Sequence, residues 1–287
     1  MSINWYPGHM AKTKRLITEN IKVIDIVFEV LDARIPASSK IADIDNLIKN
    51  KPRILIFNKY DLCDKNKTNK WIKHYEALGY KVVTTTLIGN KDISALLDAT
   101  NKIKAEINAG RKKKGLKPRG VRVLVVGVPN VGKSTLINAL VKRRAAGVGN
   151  KPGVTKGLTW IRFDKDLEML DTPGILWPKF EDKQIAFNLA SLTAIKEEVL
   201  PLDQIAVYIL KKLYQHYPQK LKKRYDIDEI DFDDIAPTLE HIGNLRKVLL
   251  KGGEPNIDAV YELIVNDIKS GNIKGITFDE KGAENEN

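Results

Sequence analysis

The chain has 287 residues, 43% hydrophobic and 29% charged, with a formal net charge of +12. That composition describes a soluble globular protein long enough for one large domain and a smaller one. The single cysteine, Cys63, excludes an intrachain disulfide and a cysteine-rich metal site, and no run approaches the roughly 18 apolar residues that would span a bilayer. Gly8, His9, Lys12, Lys14 and Arg15 interrupt any secretory pattern at the start, so a cytoplasmic address is expected.

In chain order, short apolar runs alternate with longer amphipathic stretches, the pattern of an α/β fold with a parallel sheet. Strands are predicted at Ile24–Leu31, Arg53–Phe57, Lys81–Thr85, Val121–Val126, Leu158–Phe163 and Leu167–Leu170. Several are near-continuous in Val, Ile and Leu, as strands buried on both faces should be. Helices are predicted at Ala42–Lys49, Thr68–Leu78, Ile93–Asn108 and Lys133–Val141. The basic stretch Gly110–Gly120, with Pro118 and three glycines, reads as a linker. After Pro178 no further strand is predicted. The remainder reads as helical, with segments at Gln184–Ile195, Asp203–His216 and Ile257–Ser270 and a frayed polar tail after Asp279. The expected division is therefore residues 1–178 and a smaller all-helical domain at 179–287.

The positive charge is clustered. Arg111, Lys112, Lys113, Lys114, Lys117 and Arg119 lie together, and Lys12, Lys14 and Arg15, Lys211 and Lys212, and Lys220, Lys222, Lys223 and Arg224 form further groups. Clustering of this kind points to a nucleic acid more than to a merely basic surface.

Gly127-Val128-Pro129-Asn130-Val131-Gly132-Lys133-Ser134 matches the phosphate loop, and it follows a buried strand and opens a helix. Its backbone, from Pro129 through Asn130, Val131 and Gly132 to Thr135, would wrap phosphate oxygens and turn its N–H groups towards them. Lys133 would reach the β- and γ-phosphates, and the Ser134 hydroxyl would meet Mg²⁺. Asn58-Lys59-Tyr60-Asp61 also follows a buried strand, so both loops belong at the carboxyl edge of one sheet. The Asp61 carboxylate can accept from guanine N1 and N2, a donor pair that adenine lacks. Asn58 would also lie on the base, and Lys59 can cover the ring and brace the phosphate loop. Asp171-Thr172-Pro173-Gly174 follows an apolar run; Asp171 can hold Mg²⁺ through water and the Gly174 N–H can donate to the γ-phosphate. Thr155, in Lys151-Pro152-Gly153-Val154-Thr155, would add a hydroxyl to Mg²⁺ only with the γ-phosphate present, unless this is a plain turn.

The order is inverted: the base-reading motif precedes the phosphate loop, whereas ordinary GTPases place it after. With Trp5-Tyr6-Pro7-Gly8-His9-Met10 and Asp32-Ala33-Arg34-Ile35-Pro36, this order resembles the circularly permuted GTPases, most closely the bacterial ribosome biogenesis GTPase A (YlqF) family. The resemblance covers nearly the whole chain. It implies a circularly permuted Ras-like P-loop domain followed by a helical RNA-binding domain. It implies GTP hydrolysis late in large ribosomal subunit assembly, stimulated by the particle, with rRNA and ribosomal proteins as partners and no membrane. The protein is expected to be a monomer. Where many GTPases carry a water-orienting glutamine this chain has Ile175, and the family assigns that work to the histidine matching His9; a purely structural His9 is the alternative. Asn130 resembles the asparagine that K⁺-activated GTPases use to bind the ion, the alternative being support of the turn. The guanine-backing loop is a poor match, and Thr86 is its candidate. A nucleotide-gated RNA-binding module with negligible turnover stays open, while an ATPase or nucleotide kinase is opposed by Asp61.

Overall fold

The computed structural model describes residues 3–4, 8–41, 44–48, 50–86, 90–145, 159–164, 166–172, 179–180, 182–192 and 200–281. The chain opens with β1 (Ile3–Asn4) and α1 (Gly8–Asn20) and then enters the sheet. The sheet is built from β2 (Ile26–Asp32), β3 (Arg53–Asn58), β4 (Lys81–Thr85), β5 (Val121–Val126), β6 (Thr159–Asp164) and β7 (Leu167–Asp171), in the order β4-β3-β2-β5-β7-β6. Crossover helices α2 (Ile44–Ile48), α3 (Lys65–Ala77) and α4 (Asn90–Lys113) join the first strands, and α5 (Lys133–Ala145) follows β5. Every residue of β2 is buried, as its apolar run demands.

The strand order reverses between β2 and β5. Chain progression runs outward through β3 and β4 and then returns to pair β5 with β2. Ligands of open α/β sheets bind outside the carboxyl ends of strands at such a reversal. The loops that begin at Asp32 and Gly127 therefore flank the favoured position.

Several expectations need correction. The sheet is not wholly parallel, because β6 pairs antiparallel with β7. Too few residues separate β6 from β7 for the crossover that a parallel pair needs, so they form a hairpin. The linker is shorter than Gly110–Gly120, because α4 continues through Lys113. Its stop is a two-bond cap: Leu116 N–H donates to the Arg111 carbonyl and Gly115 N–H to that of Lys112, with Gly115 at φ +71°. Arg111, Lys112 and Lys113 fill the last turn, where cations suit the helix dipole. At the other end of the cycle, α3 begins before Thr68, since the Asp64 carboxylate caps the N–H groups of Asn66 and Lys67.

Strands do not stop at Pro178 either: β8 (Lys179–Phe180) pairs antiparallel with β1. Helices α6 (Lys183–Leu192), α7 (Leu202–His216), α8 (Pro218–Tyr225), α9 (Ala236–Arg246) and α10 (Ile257–Lys269) follow. Among the described residues, buried apolar side chains of the sheet and of these helices share one large cluster, from Ile17 to Phe278, and a second, smaller one joins Leu31, Leu55 and Phe57 of the sheet to Cys63 and Tyr75. The chain end is not frayed directly after Asp279. That residue is 6% exposed, and Glu280 pairs with Lys67 and lies 2.6 Å from His216 Nε2.

Candidate nucleotide-binding site

Gly127 leaves β5 against the neighbouring strand. A Cβ there would lie 2.5 Å from the Val30 carbonyl oxygen of β2, so only glycine permits this approach. Asn130 and Gly132 carry positive φ angles of 58° and 101°, which curl the loop before α5 begins at Lys133. Ser134 and Thr135 are exposed at that helix start, where hydroxyls and N–H groups can meet an anion. Lys133 is 7% exposed, and its Nζ donates to the carbonyls of Gly127 (2.9 Å) and Val128 (3.0 Å). Burial pushes this ammonium down to about 8, although the Asp171 carboxylate nearby acts in the opposite direction. A buried lysine held beside a glycine-rich turn suits a polyphosphate, which would restore its charge.

Asp171 ends β7 beside Val125 of β5 and is 2% exposed. Thr172 donates its hydroxyl to the Val125 carbonyl at 2.7 Å, which pins the chain as it leaves the strand. Lys133, Asp171 and the open Ser134 hydroxyl are thus gathered at the ends of β5 and β7, an ammonium with hard oxygen donors. That donor set fits Mg²⁺ with a polyphosphate.

The base-reading loop leaves β3 next to this turn. Asn58 Nδ2 donates to the Val131 carbonyl at 2.6 Å, and Lys59 Nζ donates to the Asn130 carbonyl at 2.9 Å. Both contacts tie the two sequence motifs together across the reversal point. Asn58 Oδ1 is buried with no hydrogen-bond partner among the described residues. Lys59 holds φ +59°, a left-handed conformation that surrounding contacts must enforce. Asp61 is exposed, free to meet a ligand. Cys63 is buried, its Sγ 3.3 Å from the Tyr60 carbonyl, and burial raises the thiol to about 11. It is a packing residue with no thiolate to offer.

Thr86 lies beside this loop, since the adjacent Thr85 carbonyl accepts from Tyr60 N–H at 3.2 Å. Its own N–H and hydroxyl both donate to Asp92 Oδ2 at 2.8 Å, so they serve the start of α4. His9 falls in the first turn of α1, and of that residue only the backbone is described. Thr155, Gly174 and Ile175 lie outside the described residues. Sequence reasoning gave no role to Asp32 and Arg34, which prove fully buried and bonded to the site. A charged pair at the end of a buried strand was the available signal.

A family model described as "50S ribosome-binding GTPase" matches residues 122–232. It begins in β5, at the phosphate loop, and leaves Asn58–Asp61 outside, as permutation requires. Ribosome biogenesis GTPase A of Bacillus licheniformis is 45% identical over 98% of this chain and 99% of its own length. That of Thermotoga maritima is 31% identical over 96% of this chain and 94% of its own. Among solved structures, GNP-bound YlqF from T. maritima aligns with a TM-score of 0.64 and 27% identity, covering 94% of this chain and 98% of that one. A GDP-bound TM YlqF structure gives 0.65 and 26%, over 93% and 99%. With the base-reading loop ahead of the phosphate loop on a doubly wound sheet, and relatives alike over nearly their whole length, the chain belongs to the ribosome biogenesis GTPase A (YlqF) family and is a GTPase.

Proposed function

We propose that this GTPase is a molecular switch that binds the precursor of the large ribosomal subunit in the cytoplasm. It acts late in assembly of that subunit, and the particle stimulates its hydrolysis. The observation that carries this reading is the joining of base-reading and phosphate loops at the sheet reversal in a chain whose near-full-length relatives are named for ribosome biogenesis. The excess of positive charge supports rRNA as the surface it meets. Its division into a GTPase domain, residues 1–178, and a helical RNA-binding domain, 179–287, belongs to the same reading, as does action as a monomer.

In this reading Asp61 and Asn58 select guanine, and Lys59 covers the base while holding the phosphate loop. The N–H groups of Asn130 to Thr135 and the Lys133 ammonium hold the phosphates, and Thr86 backs the base side. Ser134, Thr155 and Asp171 would hold Mg²⁺ and Asn130 would hold K⁺, and the two ions would supply positive charge to the phosphate group. Gly174 N–H and Thr155 close on the γ-phosphate, and water attacks in line. His9 orients that water. Support for His9 comes from the β1–β8 ladder, which pairs Ile3 with Phe180 and Asn4 with Lys179. Asn4, five positions before His9, and Lys179, five positions after Gly174, are therefore neighbours in one ribbon.

The test is GTP turnover in K⁺ and in Na⁺, with and without large-subunit particles, for the unmodified protein and His9→Ala. Stimulation by particles and K⁺ that is lost in His9→Ala at unchanged GTP affinity is expected. Absence of turnover in every condition would favour a nucleotide-gated RNA-binding module, which the apolar Ile175 would suit.

A further inference from the structure

Arg34 is a fully buried side chain whose guanidinium works in two directions. Nε and Nη2 donate to the two carboxylate oxygens of Asp32, at 2.9 and 2.8 Å. Nη1 donates to the backbone carbonyl of Ile268, in the last turn of α10, at 2.7 Å. Asp32 Oδ2 also accepts from Lys59 Nζ at 2.9 Å, and the same ammonium reaches the Asn130 carbonyl of the phosphate loop. An unbroken series of charge-assisted contacts thus runs from Asn130 through Lys59, Asp32 and Arg34 to α10. Burial opposes ionisation of Asp32, but the charges of Arg34 and Lys59 outweigh it and hold the carboxyl well below its usual range. Only a planar fork can grip a carboxylate in two places and still reach a third acceptor.

A second strut runs beside the first. Gly275 and Ile276 N–H groups donate to the Leu62 carbonyl at 2.7 and 3.3 Å, and Leu62 follows Asp61 directly. Thr277 Oγ1 accepts from Asp64 N–H at 3.1 Å and bonds the Thr68 hydroxyl at 2.8 Å. Phe278 N–H donates to the Arg34 carbonyl at 2.8 Å. Residues 275–278 therefore bond to the chain that directly follows the base-reading loop and to Arg34.

We propose that Asp32 and Arg34 are positioning residues that couple guanine binding to the docking of α10 and residues 273–279. The proposal rests on reading Asn58–Asp61 as the base-binding loop. Coupling of this kind is reciprocal: nucleotide steadies the chain end, and loosening the chain end weakens nucleotide binding. Because the contact is with the base side, GDP and GTP act alike through it. It is thus separate from any signal carried from the γ-phosphate through Gly174.

The experiment is amide exchange of the full-length protein with and without GDP, paired with GDP affinity of Arg34→Met, Arg34→Lys and Thr277→Val. Expected are severalfold slower exchange at Gly275, Ile276 and Phe278 with GDP, equally with GTP. About tenfold weaker GDP binding is expected for Arg34→Met, which loses all three side-chain hydrogen bonds, less for Arg34→Lys, and about threefold for Thr277→Val, since only part of what is lost acts on the base-reading loop. Exchange at those amides that ignores GDP would overturn the coupling, as would GDP affinities unchanged in a folded Arg34→Met and in Thr277→Val. Should Arg34→Met fail to fold, the exchange data and Thr277→Val still decide. Asp61→Asn separates the two layers: if it keeps full guanine preference, the base-loop reading fails; if it loses that preference while exchange ignores GDP, only the coupling fails.

Discussion

Replacing Gly127 by alanine tests the geometry that brings the phosphate loop to the sheet reversal. The added Cβ would meet the Val30 carbonyl oxygen at 2.5 Å, Val131 Cγ2 at 3.0 Å and Val30 Cβ at 3.4 Å. Val30 sits in β2, which is laddered to β3 on one side and β5 on the other. Its backbone cannot retreat without stretching hydrogen bonds, so the loop must move or strain must remain. Overpacking of this kind costs about 1–3 kcal/mol. For a domain of this size that is a fall in Tm of roughly 2–4 °C per kcal/mol. If the loop moves instead, the same energy appears as weaker nucleotide binding, about tenfold per 1.4 kcal/mol. Thermal melts with and without GDP, together with a fluorescent-GDP titration, read both routes. Gly127→Ala with an unshifted Tm and unshifted GDP affinity would refute the close approach.

The contrasting substitution is Gly110→Ala, in the interior of α4 where an added Cβ meets nothing within 4 Å; it should stabilise by about 0.8–1 kcal/mol and raise Tm, since alanine is the better helix former. Lys133, lowered by burial to about 8, gives a pH signature. Below about 8 it is charged with or without ligand, so its contribution to affinity is flat. Above that pH the free protein must take up a proton to bind phosphates, so affinity should fall towards tenfold per pH unit by calorimetry, and not in Lys133→Met. Asp61→Asn removes a charged acceptor of two guanine donors; GTP affinity should fall about 10–150-fold with ATP affinity unchanged, from a loss of roughly 1.5–3 kcal/mol.

Much of the Ras-like half was legible because its strands are buried on both faces and announce themselves as unbroken apolar runs, β2 and β3 above all. The phosphate loop was legible because glycine and lysine at fixed spacing have few other uses between a strand and a helix. Helices α8 and α9 were not read. In α8 only Leu221 and Tyr225 are buried among lysines, and both helices stop at left-handed non-glycine residues, Asp226 and Lys247, where no glycine marks the end. The pairing of β1 with β8 rests on two residues per strand, too few for any periodicity. The Arg34 contact with Ile268 joins residues 234 positions apart, and no local pattern encodes it. Thr86 was chosen by its place after β4, and its bonds to the Asp92 carboxylate two residues into α4 are a tertiary detail no local pattern encodes.

The central claim is a switch whose hold on the ribosomal particle depends on the nucleotide. The direct measurement is the affinity of the full-length protein for large-subunit precursor particles, in a non-hydrolysable GTP analogue and in GDP at one fixed salt concentration. Tighter binding in the analogue is expected; equal affinity in the two nucleotides would contradict the account.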